Sequence, residues 1–156
     1  SARDSVYSRY SNTVEVEIVD TMLQQLEVEV EEKIDNDSVY FVTNDSTIAI
    51  FYTLDGTIVG CVALYPYPQH RCAELGCLFI KKNYEGHGYG KAMCRFVENL
   101  ARQQGFDSIF AISQSAVAYF RDRLHYAPMS REALPPERRA VLEASGRASE
   151  VFGCSL

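Results

Sequence analysis

Three glycines spaced two apart, Gly86, Gly88 and Gly90, constrain this chain more than any other feature. They follow an apolar run, Ala73 to Ile80, which reads as a strand. They precede Lys91 to Gln104, where Met93, Phe96, Val97 and Leu100 recur at helical spacing. Such a turn aims successive backbone N–H groups outward at the positive end of a helix dipole, a place for a phosphate or pyrophosphate. Glycine serves there because a side chain would block close approach and because the turn uses positive φ. A P-loop would need Gly at position 85 and Ser or Thr at position 92, where the chain has Glu85 and Ala92. A dinucleotide fingerprint opened by Gly86 would need Gly at position 91, where the chain has Lys91. Neither loop fits, and a turn that merely joins strand to helix is the plain alternative.

The surrounding pattern predicts a mixed α/β domain around one sheet. Val14, Val16 and Ile18 alternate with Glu15 and Glu17 as in a half-buried strand, and Asp20 is placed to cap a helix carrying Met22, Leu23 and Leu26. Thr47 to Leu54 and Thr57 to Tyr65 read as a hairpin turning at Asp55-Gly56, with Pro66 and Pro68 ending the second strand. Gly105 reads as a helix stop, Ser108 to Ser113 as a strand, Ser115 to Leu124 as a helix and Val151-Phe152 as a last strand. Pro135 and Pro136 punctuate the tail.

Composition narrows the classes. A length of 156 residues fits one domain, and 47% hydrophobic residues can build a core. The formal charge of -6 disfavours a general nucleic-acid binder. It is unevenly placed: residues 1–37 hold 10 acids and 3 bases, and the rest is nearly balanced. That acidic segment reads as a solvated helix face ahead of a docking surface. No apolar run approaches the ~20 residues of a membrane helix, and no signal peptide is visible. The chain opens on Ser1 rather than Met, which reads as a processed or excised form. Five cysteines without a CxxC argue for a reducing compartment, the cytoplasm or an organelle matrix. His70, Cys72, Cys77 and His87 match no usual zinc spacing, so no metal is expected.

The loop that does fit is the x-x-Gly-x-Gly of the GCN5-related N-acetyltransferase (GNAT) superfamily, matched by Gly88 and Gly90; Glu85 departs from the Gln or Arg that opens that motif. Lys81, Lys82, Lys91 and Arg95 stand near enough in sequence to offset its charge. A narrower resemblance spans about residues 47–152. Ala63-Leu64-Tyr65-Pro66-Tyr67, Ala73-Glu74-Leu75-Gly76-Cys77, Ile109-Phe110-Ala111-Ile112-Ser113, Ala118-Tyr119-Phe120, and Leu134-Pro135 with Arg147-Ala148-Ser149 occur in the order seen in the acetyltransferase domain of N-acetylglutamate synthases. Two departures stand out. Val42-Thr43-Asn44-Asp45 lies where that family has Arg or Lys pairs and a helix, and Arg123-Leu124-His125-Tyr126 lacks the family's glycine.

The resemblance implies a single-domain GNAT fold, mixed and mostly antiparallel in its central sheet with flanking helices. It implies acetyl-CoA as co-substrate, glutamate as the acceptor amine in arginine biosynthesis, no nucleic-acid or membrane partner, and leaves a homodimer open. Glu74, on an otherwise apolar strand, is the expected general base, its carboxyl raised by burial; a water-facing edge carboxylate is the alternative. Ser113 at a strand end is expected to protonate the departing thiolate or order a water, or else simply to cap the next helix. Tyr119 and Tyr126 are alternative acids or core residues, and Cys77 an acyl acceptor only if a histidine partners it. The resemblance assigns Cys77, Leu78, Phe79 and Ile80 to the pantetheine arm, and Glu85, Gly86, His87, Gly88, Tyr89, Gly90 and Lys91 to the phosphates. Arg147 and Ser149 would hold the amino acid's carboxylate. A different small amine, a CoA-binding module without turnover, and an interaction module using residues 1–37 are the rival readings.

Overall fold

Runs of β-branched, aromatic and other apolar residues along 47–80 favour extended backbone, and the sheet they build organises everything else. A computed structural model describes residues 31–35, 38–42, 47–54 and 57–156. The strands are β1 (Glu31–Asp35), β2 (Ser38–Val42), β3 (Ile48–Leu54), β4 (Thr57–Tyr67), β5 (Cys72–Ile80), β6 (Ser108–Ser113), β7 (Ala127–Pro128) and β8 (Glu150–Ser155). They form one sheet in the order β1-β2-β3-β4-β5-β6-β8-β7. Every pairing is antiparallel except β5 with β6, whose crossover is helix α1 (Tyr89–Gln103). A second helix, α2 (Pro136–Ser145), precedes β8. This is the mixed, mostly antiparallel α+β architecture that the sequence pattern predicts.

Helix α1 lies on one face of the sheet. Its Met93, Cys94, Val97 and Ala101 join Ile50, Val62, Leu64, Ala73, Leu75 and Ile109 in a continuous buried cluster. On the opposite face Leu134 and Leu142, the latter from α2, pack on Cys72, Phe110 and Val151. β5 and β6 are therefore covered from both sides, which suits their apolar sequence. Among the described residues no helix is long and apolar enough to cross a membrane.

Several expectations need correction. The acidic segment is not helical throughout: Glu31–Asp35 is a strand paired with β2. The strand at Val14–Ile18, the helix capped by Asp20 and the Asp55-Gly56 turn lie outside the described residues, though β3 and β4 pair to the register Leu54↔Thr57 on either side of that turn. Pro66 does not end β4, which runs on to Tyr67. Pro66 sits near the strand's end, paired with Ala73 of β5, and Pro68 opens the short 3-10 turn that follows. The helix expected over Ser115–Leu124 closes as a π-turn over Tyr119–Arg123, where Leu124 N–H reaches Tyr119 O at 3.1 Å. The wider turn lets Phe120, Leu124 and Tyr126 all enter the core. Helix α2 starts at Pro136, where the fixed φ and absent N–H suit a first helical position. The two prolines thus open a helix rather than merely punctuating the tail.

Candidate active site

β5 and β6 stay in register only over Cys72↔Ser108, Ala73↔Ile109 and Glu74↔Phe110. Beyond that pair β5 continues to Ile80 and β6 to Ser113 without pairing, so the two parallel strands open. The opening has a local cause. Between Cys61↔Phe79 and Ala63↔Gly76, two residues of β5 oppose one of β4, and Cys77 takes the left-handed φ of 53° at this bulge. Gly76 beside it is required by packing, since a Cβ there would lie 2.9 Å from the Tyr65 ring.

A cavity of about 480 Å³ lies on the α1 side of this opening. Its walls include Leu78 and Ile80 from β5, Glu85, Gly86 and Gly88 from the loop, Tyr89, Gly90 and Lys91 from the first turn of α1, and Ala116, Tyr119 and Arg123 from the segment after β6. Gly86 and Gly88 have φ of 81° and 83°, and Gly88 stands immediately before the helix. The first α-helical bond is Ala92 N–H to Gly88 O at 3.0 Å. The N–H groups of Tyr89, Gly90 and Lys91 precede it and have no acceptor within the helix. They converge with the helix dipole on the cavity, as an anion site demands. Lys91 and Arg123 outnumber Glu85 among the charged wall residues, so the acid does not make the pocket negative. The cradle therefore suits a pyrophosphate with an apolar arm running along β5.

Eight of the eleven residues expected to bind this group line the cavity, and three do not. Phe79 alternates to the other face and is 44% exposed. His87 packs its ring on Tyr89 at 5.6 Å, in a small aromatic cluster with Tyr84 and Tyr52. Cys77 shares a 3.0 Å hydrogen bond with the Tyr65 hydroxyl, and its carbonyl accepts from the Cys61 thiol at 3.6 Å. Tyr119 was not among the expected cofactor residues, yet its hydroxyl crowds Gly90: a Cβ there would sit 2.7 Å from that oxygen. Burial pushes the Tyr119 phenol up to about 12, so it stays a proton donor across the neutral range.

Glu74 lies on the α2 side of the sheet, with only 7% of its surface exposed. Its carboxylate is held by Arg138 of α2, Nε donating to Oε1 at 2.7 Å and Nη2 to Oε2 at 3.2 Å. It does not face open water, and its burial is accompanied by a cation that the sequence reading did not pair with it. Hydrogen bonding to Glu74 raises the Arg138 guanidinium further. Tyr67, beside the pair, is pushed up to about 12 by burial first and by the Glu74 charge second.

Ser113 ends β6, and its Oγ accepts from Ala116 N–H at 2.9 Å, which is the capping arrangement. The bond uses the oxygen as acceptor and leaves the hydroxyl proton to be donated. Ser113 stands three residues beyond Phe110, the register partner of Glu74, so strand alternation sends the two side chains to opposite faces. Arg147 and Ser149 lie between α2 and β8, whose first residue Glu150 pairs with Ser113. Arg131 Nη2 donates to the carbonyls of both, at 3.1 Å and 2.9 Å, and so braces that segment. The topology thus brings Ser113 and the Arg147–Ser149 segment to one end of the sheet. Arg131 and Arg138 were overlooked as site residues; the run Pro135-Pro136-Glu137-Arg138-Arg139, a first turn rich in cations, was the available signal.

The sequence matches the acetyltransferase (GNAT) family over residues 15–126. It is 33% identical over 102 residues to an amino-acid acetyltransferase of Pseudomonas putida (strain GB-1), covering 65% of this chain and 23% of that protein. A second such enzyme, from Ectopseudomonas mendocina (strain ymp), is 34% identical over the same length, 65% of this chain and 23% of its own. The chain therefore spans about a quarter of the length of these relatives. Among solved structures, N-acetylglutamate synthase from Neisseria gonorrhoeae, complexed with coenzyme A and N-acetyl-glutamate, superposes with a TM-score of 0.65 at 21% identity, over 90% of this chain and 31% of that one. Tetrahymena GCN5 gives 0.57 at 16% identity, over 70% and 68%. The family match spans well over half of the sequence, and the chain belongs to the GNAT acetyltransferase family.

Proposed function

We propose that this chain transfers acetyl from acetyl-CoA to the α-amino group of an amino acid, with glutamate as the acceptor. The observation that carries the reading is the cavity at the start of α1, where three N–H groups, Lys91 and Arg123 converge next to the opened strands. The amino-acid acetyltransferases among its relatives, and the synthase whose structure holds coenzyme A and N-acetyl-glutamate, support this acceptor class.

Acetyl-CoA supplies an activated thioester when bound. Gly86, Gly88 and the first turn from Tyr89 to Lys91 would hold its phosphates, and Leu78 and Ile80 would line the path of its arm. The chain's own groups then divide the proton work. Glu74 takes a proton from the acceptor ammonium, directly or through a water. The Tyr119 hydroxyl, neutral at working pH and inside the cavity, donates a proton to the departing sulfur, with the Ser113 hydroxyl as the second donor. Arg147 and Ser149 lie at the same sheet end as Ser113 and bind acceptor carboxylate.

The test is release of free CoA from acetyl-CoA, with glutamate and then a panel of amino acids. Release that depends on glutamate is the expected result. Release with another amine instead would keep the chemistry and replace the acceptor. CoA binding with no release for any amine would replace the enzyme reading by that of a binding module.

A further inference from the structure

Among the described residues, the Arg138 guanidinium is only half used. It carries five N–H donors, and the fork to Glu74 takes one on Nε and one on Nη2. The outer edge, Nη1 with the second proton of Nη2, keeps three donors in the geometry that matches a second carboxylate. The Arg138 side chain is 23% exposed against 10% for the side chain of Glu74, so the partly solvated end of the pair belongs to the arginine. The surroundings hold phenols and a further acid: Tyr65 and Tyr67 act on Arg138, while Glu137 pairs with His70 at 3.4 Å. Each Glu74 oxygen accepts one bond from Arg138 and keeps a lone pair for an ammonium.

An α-amino acid carries its amine and its α-carboxylate on the same carbon. A cation in contact with the base therefore meets the α-carboxylate, while a more remote carboxylate reaches elsewhere. We infer that Arg138 is a shared guanidinium, one edge fixing Glu74 and the other receiving the acceptor's α-carboxylate, so that the amine is delivered to the Glu74 oxygens. This rests on the reading of the chain as an amino-acid acetyltransferase. It leaves Arg147 and Ser149 for the acceptor's side-chain carboxylate, and so separates recognition of an α-amino acid from recognition of glutamate.

The test compares kcat/KM for glutamate, glutamate α-amide and glutamine in the wild-type protein and in Arg138→Lys, which keeps a cation beside Glu74 but loses the fork. The expected result is that the preference for glutamate over its α-amide falls by about tenfold to a hundredfold, chiefly through the KM for glutamate. The preference for glutamate over glutamine should stay within about threefold. Arg138→Gln should abolish the first preference in the same way, and thermal unfolding of both variants monitors the fold. If all three acceptors fall in parallel, Arg138 is a structural partner of Glu74 and the inference is wrong. If the glutamine ratio moves instead, Arg138 binds the side-chain carboxylate and the inference is again wrong. Wild-type turnover with glutamate, measured first, separates these outcomes from failure of the parent reading: with no amino acid accepted, both are overturned.

Discussion

Gly88 decides whether the loop can present its N–H groups. At φ of 83° it occupies a region that L side chains avoid, and nothing lies within 4 Å of where its Cβ would be. A substitution there costs conformational energy without colliding with a neighbour, about 1–2 kcal/mol for a left-handed residue and more for a β-branched one. The backbone relieves that strain most easily by rotating away from positive φ, which turns the N–H groups of Tyr89 and Gly90 off the cavity. Gly88→Val is therefore expected to weaken CoA binding by at least tenfold, with the thermal midpoint lowered by only a few degrees. Titration of the variant with CoA checks this, and unchanged affinity would remove the loop as the phosphate site. Gly90 acts by a different cause. Its φ is not in the left-handed region, but the space above it is taken by the Tyr119 hydroxyl.

That contact joins two elements. Helix α1 holds the segment after β6 at two places: Gly90 lies under Tyr119 at its start, and Glu98 anchors it midway. Glu98 is only 2% exposed and is fully engaged, accepting from Arg95 Nη1 at 2.7 Å and 2.9 Å and from the Tyr126 hydroxyl at 2.9 Å. Arg95 Nη2 also donates to Leu124 O at 3.2 Å. The π-turn is thereby pinned at its C-terminal end, which leaves the Tyr119 ring as the part free to adjust. Gly90→Ala is expected to push the Tyr119 hydroxyl aside while the helix and the turn persist. Its kcat should fall toward that of Tyr119→Phe, about tenfold to a hundredfold below the parent. The double variant should be no worse than Tyr119→Phe alone, because both changes remove the same donor. Steady-state rates of the three variants decide it. Additive losses would mean that Tyr119 is not the group through which Gly90 acts.

At the scale of the whole molecule, the legible parts of the sequence were those set by local period and turn chemistry. The strand Ser108–Ser113 was read to the residue, and the order of strand, glycine loop and helix was plain because Gly86 to Gly90 interrupts one period and starts another. What escaped was set by distance along the chain. Glu74 and Arg138 stand 64 residues apart, and no local pattern pairs them. Arg131 works through the carbonyls of Arg147 and Ser149, which leave no trace in side-chain identity. The π-turn arises because Phe120, Leu124 and Tyr126 compete for one core, a tertiary demand that overrides helix period. The same burial that hides these relations leaves a global signature. Cys61 in β4 and Cys94 in α1 are at most 4% exposed, and desolvation pushes both thiols from 9.0 to about 12. In the unfolded chain they ionise near 9, so above that pH the unfolded state binds fewer protons than the folded one. The slope of unfolding free energy with pH is then negative. The stability they contribute is complete below pH 9 and is lost as pH climbs toward 12. Between pH 9 and 10 each thiol should remove about 1 kcal/mol, or about 2 kcal/mol for the pair. Urea unfolding at pH 7.5, 9 and 10 under reducing conditions should show a midpoint that holds to about pH 8.5 and then falls. In Cys94→Ala the starting midpoint is lower, but the fall between pH 9 and 10 should be smaller by about 1 kcal/mol, since one titrating thiol is gone while Cys61 and Cys72, the latter pushed up to about 11 by burial, still contribute. An equally steep fall in that variant would remove Cys94 as a source of the alkaline loss.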